Sequence, residues 1–261
     1  MNAWTVEPAD ALDDFDAPDD QDAPDDPDAS DGADDSDGTG DSDGTEDSDG
    51  LADDDETSVP RAARGSSGPA VVVVHDWYGP LPHLADFADE LTMAGFDVEL
   101  VDLYDEVTTD DPGRAEVLAE ALDGPDALEQ IAAAAERLRD GGASHVGAVG
   151  FSLGGSLVLR SAAAGEFDAV VVYYATCDVD DAARLTCPVQ LHLAQHDEFE
   201  SADDVEEFVA AVRAGGATVD DFLYRGTEHS FANADVALSD PHAAEVALAR
   251  TIGFLHARLA G

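Results

Sequence analysis

The stretch Gly-Phe-Ser-Leu-Gly-Gly at residues 150–155 follows a predicted strand and opens a predicted helix. This is the context of the G-x-S-x-G nucleophile elbow, in which a serine lies on a sharp strand-to-helix turn. Gly150 and Gly154 lack side chains, so the strand and the helix can cross closely enough to form that turn. The turn exposes the Ser152 hydroxyl and places the Leu153 amide at the positive end of the helix. The pattern therefore predicts a nucleophile at Ser152, with a plain glycine-rich turn as the alternative.

Hydrophobic patterning on both sides of this stretch alternates between strands and helices. Ala70–Val74 is a continuous apolar run rich in valine, typical of a strand buried on both faces. The other predicted strands are Asp97–Asp102, His145–Gly150, Ala169–Tyr174, Val189–Ala194 and Thr218–Tyr224. The predicted helices are Leu81–Ala94, Arg114–Leu122, Ala127–Arg139, Leu153–Ala164, Ala202–Ala214 and Ala243–Leu259. This alternation predicts an α/β fold with a mostly parallel sheet and helices on both faces.

The chain of 261 residues has a formal net charge of -49, with 60 acidic residues, 11 arginines and no lysine. Phosphate binding needs clustered cations, so this composition excludes nucleic acid and anionic membrane surfaces as partners. Negative charge spread over a whole domain repels itself in dilute salt and is screened in molar salt. We therefore expect a halophilic-type organism with a salt-rich cytoplasm. A role in binding cations or acidic-surface partners is the alternative.

Residues 1–56 hold 24 of the acidic residues, no basic residue and almost no large apolar side chains. Such a segment cannot bury enough surface to offset the entropy of ordering it. Thr45–Glu56 matches an EF-hand loop at several positions, but it begins with Thr and lacks flanking helical patterns. We expect a disordered acidic tail at 1–56, a linker at 57–69 and one α/β domain at 70–261.

The sequence shows no apolar run long enough to span a membrane and no secretory signal pattern. Cys177 and Cys187 are too few and too far apart for a CxxC pair or a zinc knuckle, and they indicate small buried side chains in a reducing compartment. We expect a cytoplasmic protein, with a monomer favoured.

A serine nucleophile needs a base, and the base needs an acid that orients it. In folds of this kind the chain order is serine, acid, histidine. Asp197 and His229 each lie beyond the end of a predicted strand, at the same sheet edge as Ser152. Glu198 and Glu200 are the alternative acids.

The competing histidines fit the position of the base less well, because they precede the serine or fall within predicted strands and helices. They are His75, His83, His145, His192, His242 and His256. His192 and His196 are four residues apart on a strand, which separates them by about 13 Å. That is too far for one metal ion, and no metal site is expected.

An oxyanion hole needs a second backbone donor near the end of the first strand. The segment His-Asp-Trp-Tyr-Gly at residues 75–79 supplies a loop there. The Trp77 amide is the expected second donor beside the Leu153 amide. Alternatively, Trp77 and Tyr78 form a hydrophobic lid over the sheet edge.

Five motifs occur in order along the chain: HDWYG, AGFDVELVDLY, GFSLGG, AVVVYY and EHSF. Together they resemble the dienelactone hydrolase family of the α/β-hydrolase fold, over about residues 70–257. The resemblance implies a catalytic triad of Ser152, Asp197 and His229. It also implies an accessory acidic residue beside the nucleophile at Asp76, where the family usually has glutamate.

The chain departs from the family at the nucleophile and at the substrate carboxylate site. The family nucleophile is typically cysteine, and the authentic dienelactone enzymes bind the substrate carboxylate with two arginines. Here the matching positions hold Ser152, Glu106 in the pair Asp105-Glu106, and Asn233. An anionic lactone would meet carboxylates instead of a guanidinium clamp.

We therefore expect a serine hydrolase for a small, uncharged carboxylic ester or lactone, acting through an acyl-enzyme without a metal or organic cofactor. The alternative is a non-catalytic module with a hydrolase fold, whose acidic tail recruits cations or partners.

Overall fold

The computed structural model of the protein describes residues 68–259, in which six strands alternate with seven helices. The strands are β1 Ala70–Val74, β2 Asp97–Val101, β3 Val146–Phe151, β4 Ala169–Tyr173, β5 Val189–His196 and β6 Val219–Glu228. The helices are α1 Pro82–Met93, α2 Pro112–Ala121, α3 Gly124–Asp140, α4 Leu153–Ala163, α5 Val179–Ala182, α6 Ala202–Gly215 and α7 Pro241–Leu259. The expected acidic tail and residues 57–67 of the linker lie outside the described residues.

The six strands form one sheet in the order β2-β1-β3-β4-β5-β6, and every neighbouring pair is parallel. This confirms the predicted α/β fold with a mostly parallel sheet. Because the strands run in the same direction, all their carboxyl ends lie at one edge. The loops after β3, β5 and β6, which carry the candidate catalytic residues, meet at that edge.

Helices cover both faces of the sheet because alternate residues of each strand point to opposite sides. Val72 and Val74 of β1 belong to a core cluster with side chains of α3, α4 and α6. Val71 and Val73 belong to a second cluster with side chains of α1 and α7. All five residues of β1 have no exposed surface, as its continuous apolar run predicted.

Apart from shifts of one to three residues in the bounds of several elements, the structure differs from the sequence prediction in one helix and in the length of two strands. Helix α5 was missed because its four residues are too few to show a helical period. Strands β5 and β6 also run further than predicted, because their ends pair at His196 and Glu228 beyond an irregularity in register. As a result, Asp197 and His229 each directly follow the last residue of a strand.

No helix within residues 68–259 combines the length and the apolar composition needed to cross a bilayer.

The turn between β3 and α4 depends on two glycines that allow close backbone contact. A Cβ atom on Gly150 would lie 2.5 Å from the carbonyl oxygen of Gly154. A Cβ atom on Gly154 would overlap the carbonyl oxygen of His75 and lie 2.7 Å from that of Val74. The opposing atoms belong to the backbone, so they cannot move aside as a flexible side chain could. The start of α4 is therefore packed directly against the end of β1.

We expect Gly154→Ala to lower the free energy of unfolding by about 1–3 kcal/mol or more, because the added methyl group overpacks a rigid contact. Gly253→Ala in α7 is the matched control, since a Cβ there meets no atom within 4 Å. It should raise stability by about 0.5–1 kcal/mol. Urea unfolding of both variants measures the difference. Equal stability of Gly154→Ala and the unmutated protein would contradict the packing argument.

Candidate active site

Three side chains from three loops form a continuous hydrogen-bonded chain at the carboxyl edge of the sheet. The Ser152 hydroxyl oxygen lies 2.8 Å from Nε2 of His229. Nδ1 of the same imidazole lies 2.8 and 2.9 Å from the two carboxylate oxygens of Asp197. The structure thus brings together the three residues selected from the sequence, although they are as many as 77 positions apart.

The partners of His229 determine which ring nitrogen carries the proton. Asp197 is an acceptor when ionised, so Nδ1 is the nitrogen that donates. Nε2 of the neutral ring then has a free lone pair and accepts the proton of the Ser152 hydroxyl. This is the arrangement in which an imidazole can act as a general base toward a serine.

The Asp197 carboxylate is fixed by the loop that carries it. Its Oδ1 accepts hydrogen bonds from the amides of Phe199 and Glu200, at 3.0 and 3.1 Å. The side chain is only 3% exposed, which shields its bond to the imidazole from solvent. These contacts orient the carboxylate toward His229 before any substrate binds.

Glu200, one of the alternative acids, has a different set of partners. Its two carboxylate oxygens accept hydrogen bonds from the Thr176 amide and hydroxyl, at 3.0 and 2.7 Å. Burial raises the pKa of this carboxyl above its usual value. Glu200 therefore ties the loop after β4 to the loop after β5, while Asp197 contacts the imidazole. Glu198, the other alternative, is exposed.

Two aromatic rings contact the His229 imidazole. The Tyr174 ring lies 4.9 Å from it and the Phe199 ring 4.7 Å, each measured between ring centroids. Tyr174 is fully buried, whereas Phe199 is 51% exposed and also contacts the Trp77 ring at 5.7 Å. The sequence reasoning did not identify Tyr174 or Phe199 as parts of the site. Their positions, directly after β4 and two residues after Asp197, are the signals that could have indicated them.

Ser152 adopts φ 47° and ψ -115°, a conformation that non-glycine residues rarely take. Its own amide is bonded to the carbonyl of Tyr173 at 3.0 Å, which holds the turn in place. Leu153 is the first residue of α4, and its amide is an unused donor of the first helical turn. Among residues 68–259, neither the Leu153 nor the Trp77 amide donates a hydrogen bond to another residue. Both amides are therefore free hydrogen-bond donors within these residues.

Asp76 is part of the loop after β1 and has only 1% of its surface exposed. Its carboxylate oxygens accept hydrogen bonds from the Tyr78 amide and the Asn233 side-chain amide, both at 2.9 Å. Burial raises the pKa of Asp76, and these two hydrogen bonds oppose the rise. Asn233 is itself fully buried. The position at which the resemblance expects an arginine thus holds a neutral amide that bonds to Asp76.

The other buried histidines of the described chain have partners outside the triad. His83 is paired with Asp235 at 3.0 Å. His192 lies 2.8 Å from the Tyr224 hydroxyl, and burial lowers its pKa to about 3. His75 lies between Leu103 and the backbone of Asp76. Within residues 68–259, no group of three or more His, Cys, Asp or Glu side chains is arranged to hold a metal ion.

Comparison of the whole chain with known proteins points to one family. The sequence profile of the dienelactone hydrolase family matches residues 58–259. A carboxymethylenebutenolidase-like protein of Azospirillum brasilense is 30% identical, over 77% of this chain and 92% of its own length. The carboxymethylenebutenolidase of Rhodococcus opacus is also 30% identical, over 56% of this chain and 64% of that protein.

A solved structure shares the fold. The crystal structure of a dienelactone hydrolase-like protein from Klebsiella pneumoniae superposes with a TM-score of 0.64 at 24% sequence identity. The superposition covers 74% of this chain and 89% of that one.

The contacts of Asp197 and Glu200 predict different consequences for the reactivity of Ser152. Asp197→Asn should slow labelling of Ser152 by a fluorophosphonate by roughly 10³–10⁴-fold, because the imidazole loses its orienting carboxylate. Glu200→Gln is the isosteric control and should stay within about tenfold of the unmutated rate. A larger effect at Glu200 than at Asp197 would identify Glu200 as the acid instead.

Proposed function

The chain belongs to the dienelactone hydrolase family, and we propose that it hydrolyses small, uncharged carboxylic esters or lactones with Ser152 as the nucleophile. The observation that carries this proposal is the hydrogen-bonded chain from Asp197 through His229 to Ser152. A non-catalytic module has no need for a strained serine aligned with an imidazole and a buried carboxylate. Such strain has a cost and is retained where the geometry is used.

The proposed reaction follows from the positions of these groups. His229 Nε2 removes the hydroxyl proton as the Ser152 oxygen attacks the carbonyl carbon of the ester. The carbonyl oxygen becomes an oxyanion and accepts hydrogen bonds from the Leu153 and Trp77 amides. The tetrahedral intermediate then collapses, and the leaving alkoxide takes the proton from His229. A water molecule, deprotonated by the same imidazole, then attacks the acyl carbon. The bond to the Ser152 oxygen breaks, the acid is released, and His229 returns the proton to Ser152. Apart from the substrate and water, these steps use side chains and amides of this chain.

An uncharged substrate is favoured by the charges around the site. Asp197 is itself a carboxylate, Glu200 lies beside it in the same loop, and the buried carboxyl group of Asp76 is bonded to the neutral amide of Asn233. Most arginines of the described chain pair with carboxylates elsewhere, for example Arg137 with Glu99. A carboxylate on the substrate would meet repulsion without a cationic partner.

Aromatic surface is available for apolar contact with a substrate. The half-exposed Phe199 ring lies between the Trp77 ring and the imidazole of His229. These rings offer dispersion contacts and displace water from the base. We propose that the acyl or alcohol group of the substrate packs against Phe199.

The salt concentration and the compartment in which the enzyme works, and its oligomeric state, remain predictions from the sequence. The net charge of -49 supports activity in a salt-rich cytoplasm, and a monomer is the favoured assembly. Assays of the proposed activity should therefore include molar salt.

The direct test of the mechanism is Ser152→Ala. This variant should show no measurable hydrolysis of a short-chain p-nitrophenyl ester and no labelling by a fluorophosphonate, because the attacking oxygen is absent. Its circular dichroism spectrum and melting temperature serve as controls for the fold. Undiminished hydrolysis by a folded Ser152→Ala variant would refute the proposed nucleophile.

The charges around the site also predict a substrate preference. The name carboxymethylenebutenolidase denotes action on a lactone that bears a carboxyl group. Charge-assisted hydrogen bonds contribute about 1.5–3 kcal/mol each, so the loss of two arginine contacts should weaken such a substrate by roughly two to four powers of ten. We expect kcat/KM in high salt to be higher for a neutral ester of similar size than for dienelactone. A clear preference for the anionic lactone would show that another arginine, such as Arg114 or Arg225, binds the carboxylate.

A further inference from the structure

His75 is a fully buried histidine that the proposed reaction does not use directly. It is the first residue after β1 and precedes the loop that carries the Trp77 amide. Its Nε2 lies 3.0 Å from the backbone nitrogen of Leu103, which follows β2. Its Nδ1 lies 2.6 Å from the carbonyl oxygen of Asp76. Each ring nitrogen therefore forms a hydrogen bond with a backbone group. Nδ1 bonds within the loop after β1, and Nε2 bonds to the loop after β2.

The two contacts settle the tautomer of this ring. A backbone N–H can only donate, so Nε2 of His75 must accept from Leu103 and carries no proton. The proton is on Nδ1, which donates to the Asp76 carbonyl oxygen. Burial lowers the pKa of His75, so the neutral ring is the form present near pH 7.

The Asp76 carbonyl belongs to the same peptide unit as the Trp77 amide. In a planar trans peptide, the C=O and the N–H point in opposite directions. A donor that holds the carbonyl oxygen on one side therefore directs the N–H to the other. The Gly79 amide also donates to this oxygen, at a longer 3.3 Å. The Trp77 amide, which has no acceptor within residues 68–259, is thereby directed away from His75.

We propose that His75 is a positioning residue for the oxyanion hole, whose Nδ1–H holds the Asp76 carbonyl and so directs the Trp77 N–H toward the carbonyl oxygen of the substrate. This inference rests on the proposed function, because it concerns the second donor of that reaction. The Asp76 side chain supports the same geometry from the other side. Its carboxylate accepts from the Tyr78 amide and from Asn233, which fixes the start of the loop.

The test compares three variants of the full-length protein. His75→Phe keeps a planar ring against its neighbour Tyr104 but removes both hydrogen bonds. His75→Asn places an amide donor where Nδ1 was and leaves the Leu103 amide without its acceptor. His192→Phe is the matched control, because His192 is also fully buried and bonds to Tyr224 away from the triad.

Each variant is assayed with p-nitrophenyl butyrate and with an alkyl trifluoromethyl ketone. The Ser152 oxygen adds to the ketone carbon, its proton passes to His229, and the ketone oxygen becomes an anion in the proposed hole. The inhibition constant of this adduct reports oxyanion binding, whereas KM reports binding of the ground state.

We expect His75→Phe to lower kcat by about 10–100-fold with KM within about threefold, as loss of an oxyanion donor does. Its inhibition constant for the ketone should rise by the same factor as kcat/KM falls. His75→Asn should keep kcat within about threefold of the unmutated protein, although its melting temperature should be lower. His192→Phe should lose stability while its kcat and inhibition constant stay within about threefold.

The proposal is overturned if a folded His75→Phe variant keeps both kcat and the inhibition constant of the unmutated protein. It is also overturned if His75→Asn loses tenfold or more in kcat, and this second result decides the matter if His75→Phe does not fold. A failure of the proposed function is a separate result. In that case the unmutated protein would hydrolyse no ester and bind no ketone.

Discussion

The close crossing of β3 and α4 is the contact on which the site depends. A Cβ at Gly150 would clash with the backbone of the first turn of α4, and a Cβ at Gly154 would clash with the backbone at the end of β1. The crossing holds Ser152 at a positive φ and brings the first turn of α4 beside the loop after β1. The serine hydroxyl and the two candidate oxyanion amides thus come from segments in direct backbone contact. This rigidity matters because a donor displaced by a fraction of an ångström loses much of its effect on an oxyanion.

Burial and hydrogen bonding around the triad orient each polar group in advance. Asp197 is held by two amides of its own loop, and His229 is contacted by Tyr174 on one strand end and Phe199 on another loop. In the loop after β1, the Asp76 carboxylate accepts a hydrogen bond from the neutral side-chain amide of Asn233, at the position where the family resemblance implies an arginine. The fold of the family is retained, while the charge beside the candidate triad differs from what the resemblance implies. Substrate choice in this chain is therefore expected to differ from that of carboxylate-binding relatives.

The sequence was sufficient to predict those parts of the candidate site that depend on a local pattern of residues. A strand, a glycine-flanked serine and a helix in that order define the elbow at Ser152. The alternation of elements implies parallel strands whose carboxyl ends share an edge, and this selects Asp197 and His229. The sequence favoured Asp197 but left Glu200 as an alternative, because both follow the same strand within four residues. The choice between them depends on side-chain partners: Thr176 occupies the Glu200 carboxylate, while Asp197 contacts the imidazole.

By itself, the sequence determined the α/β class and the order of the elements, and it placed a candidate nucleophile at Ser152, because periodicity and glycine spacing are properties of neighbouring residues. Only the tertiary structure decided that the imidazole is flanked by Tyr174 and Phe199, and that His75 holds the peptide bearing the Trp77 amide. These contacts join residues that are distant in sequence or depend on the orientation of one peptide plane. No pattern of residue types predicts such an orientation, because the orientation results from the way the loops after β1 and β2 pack against each other.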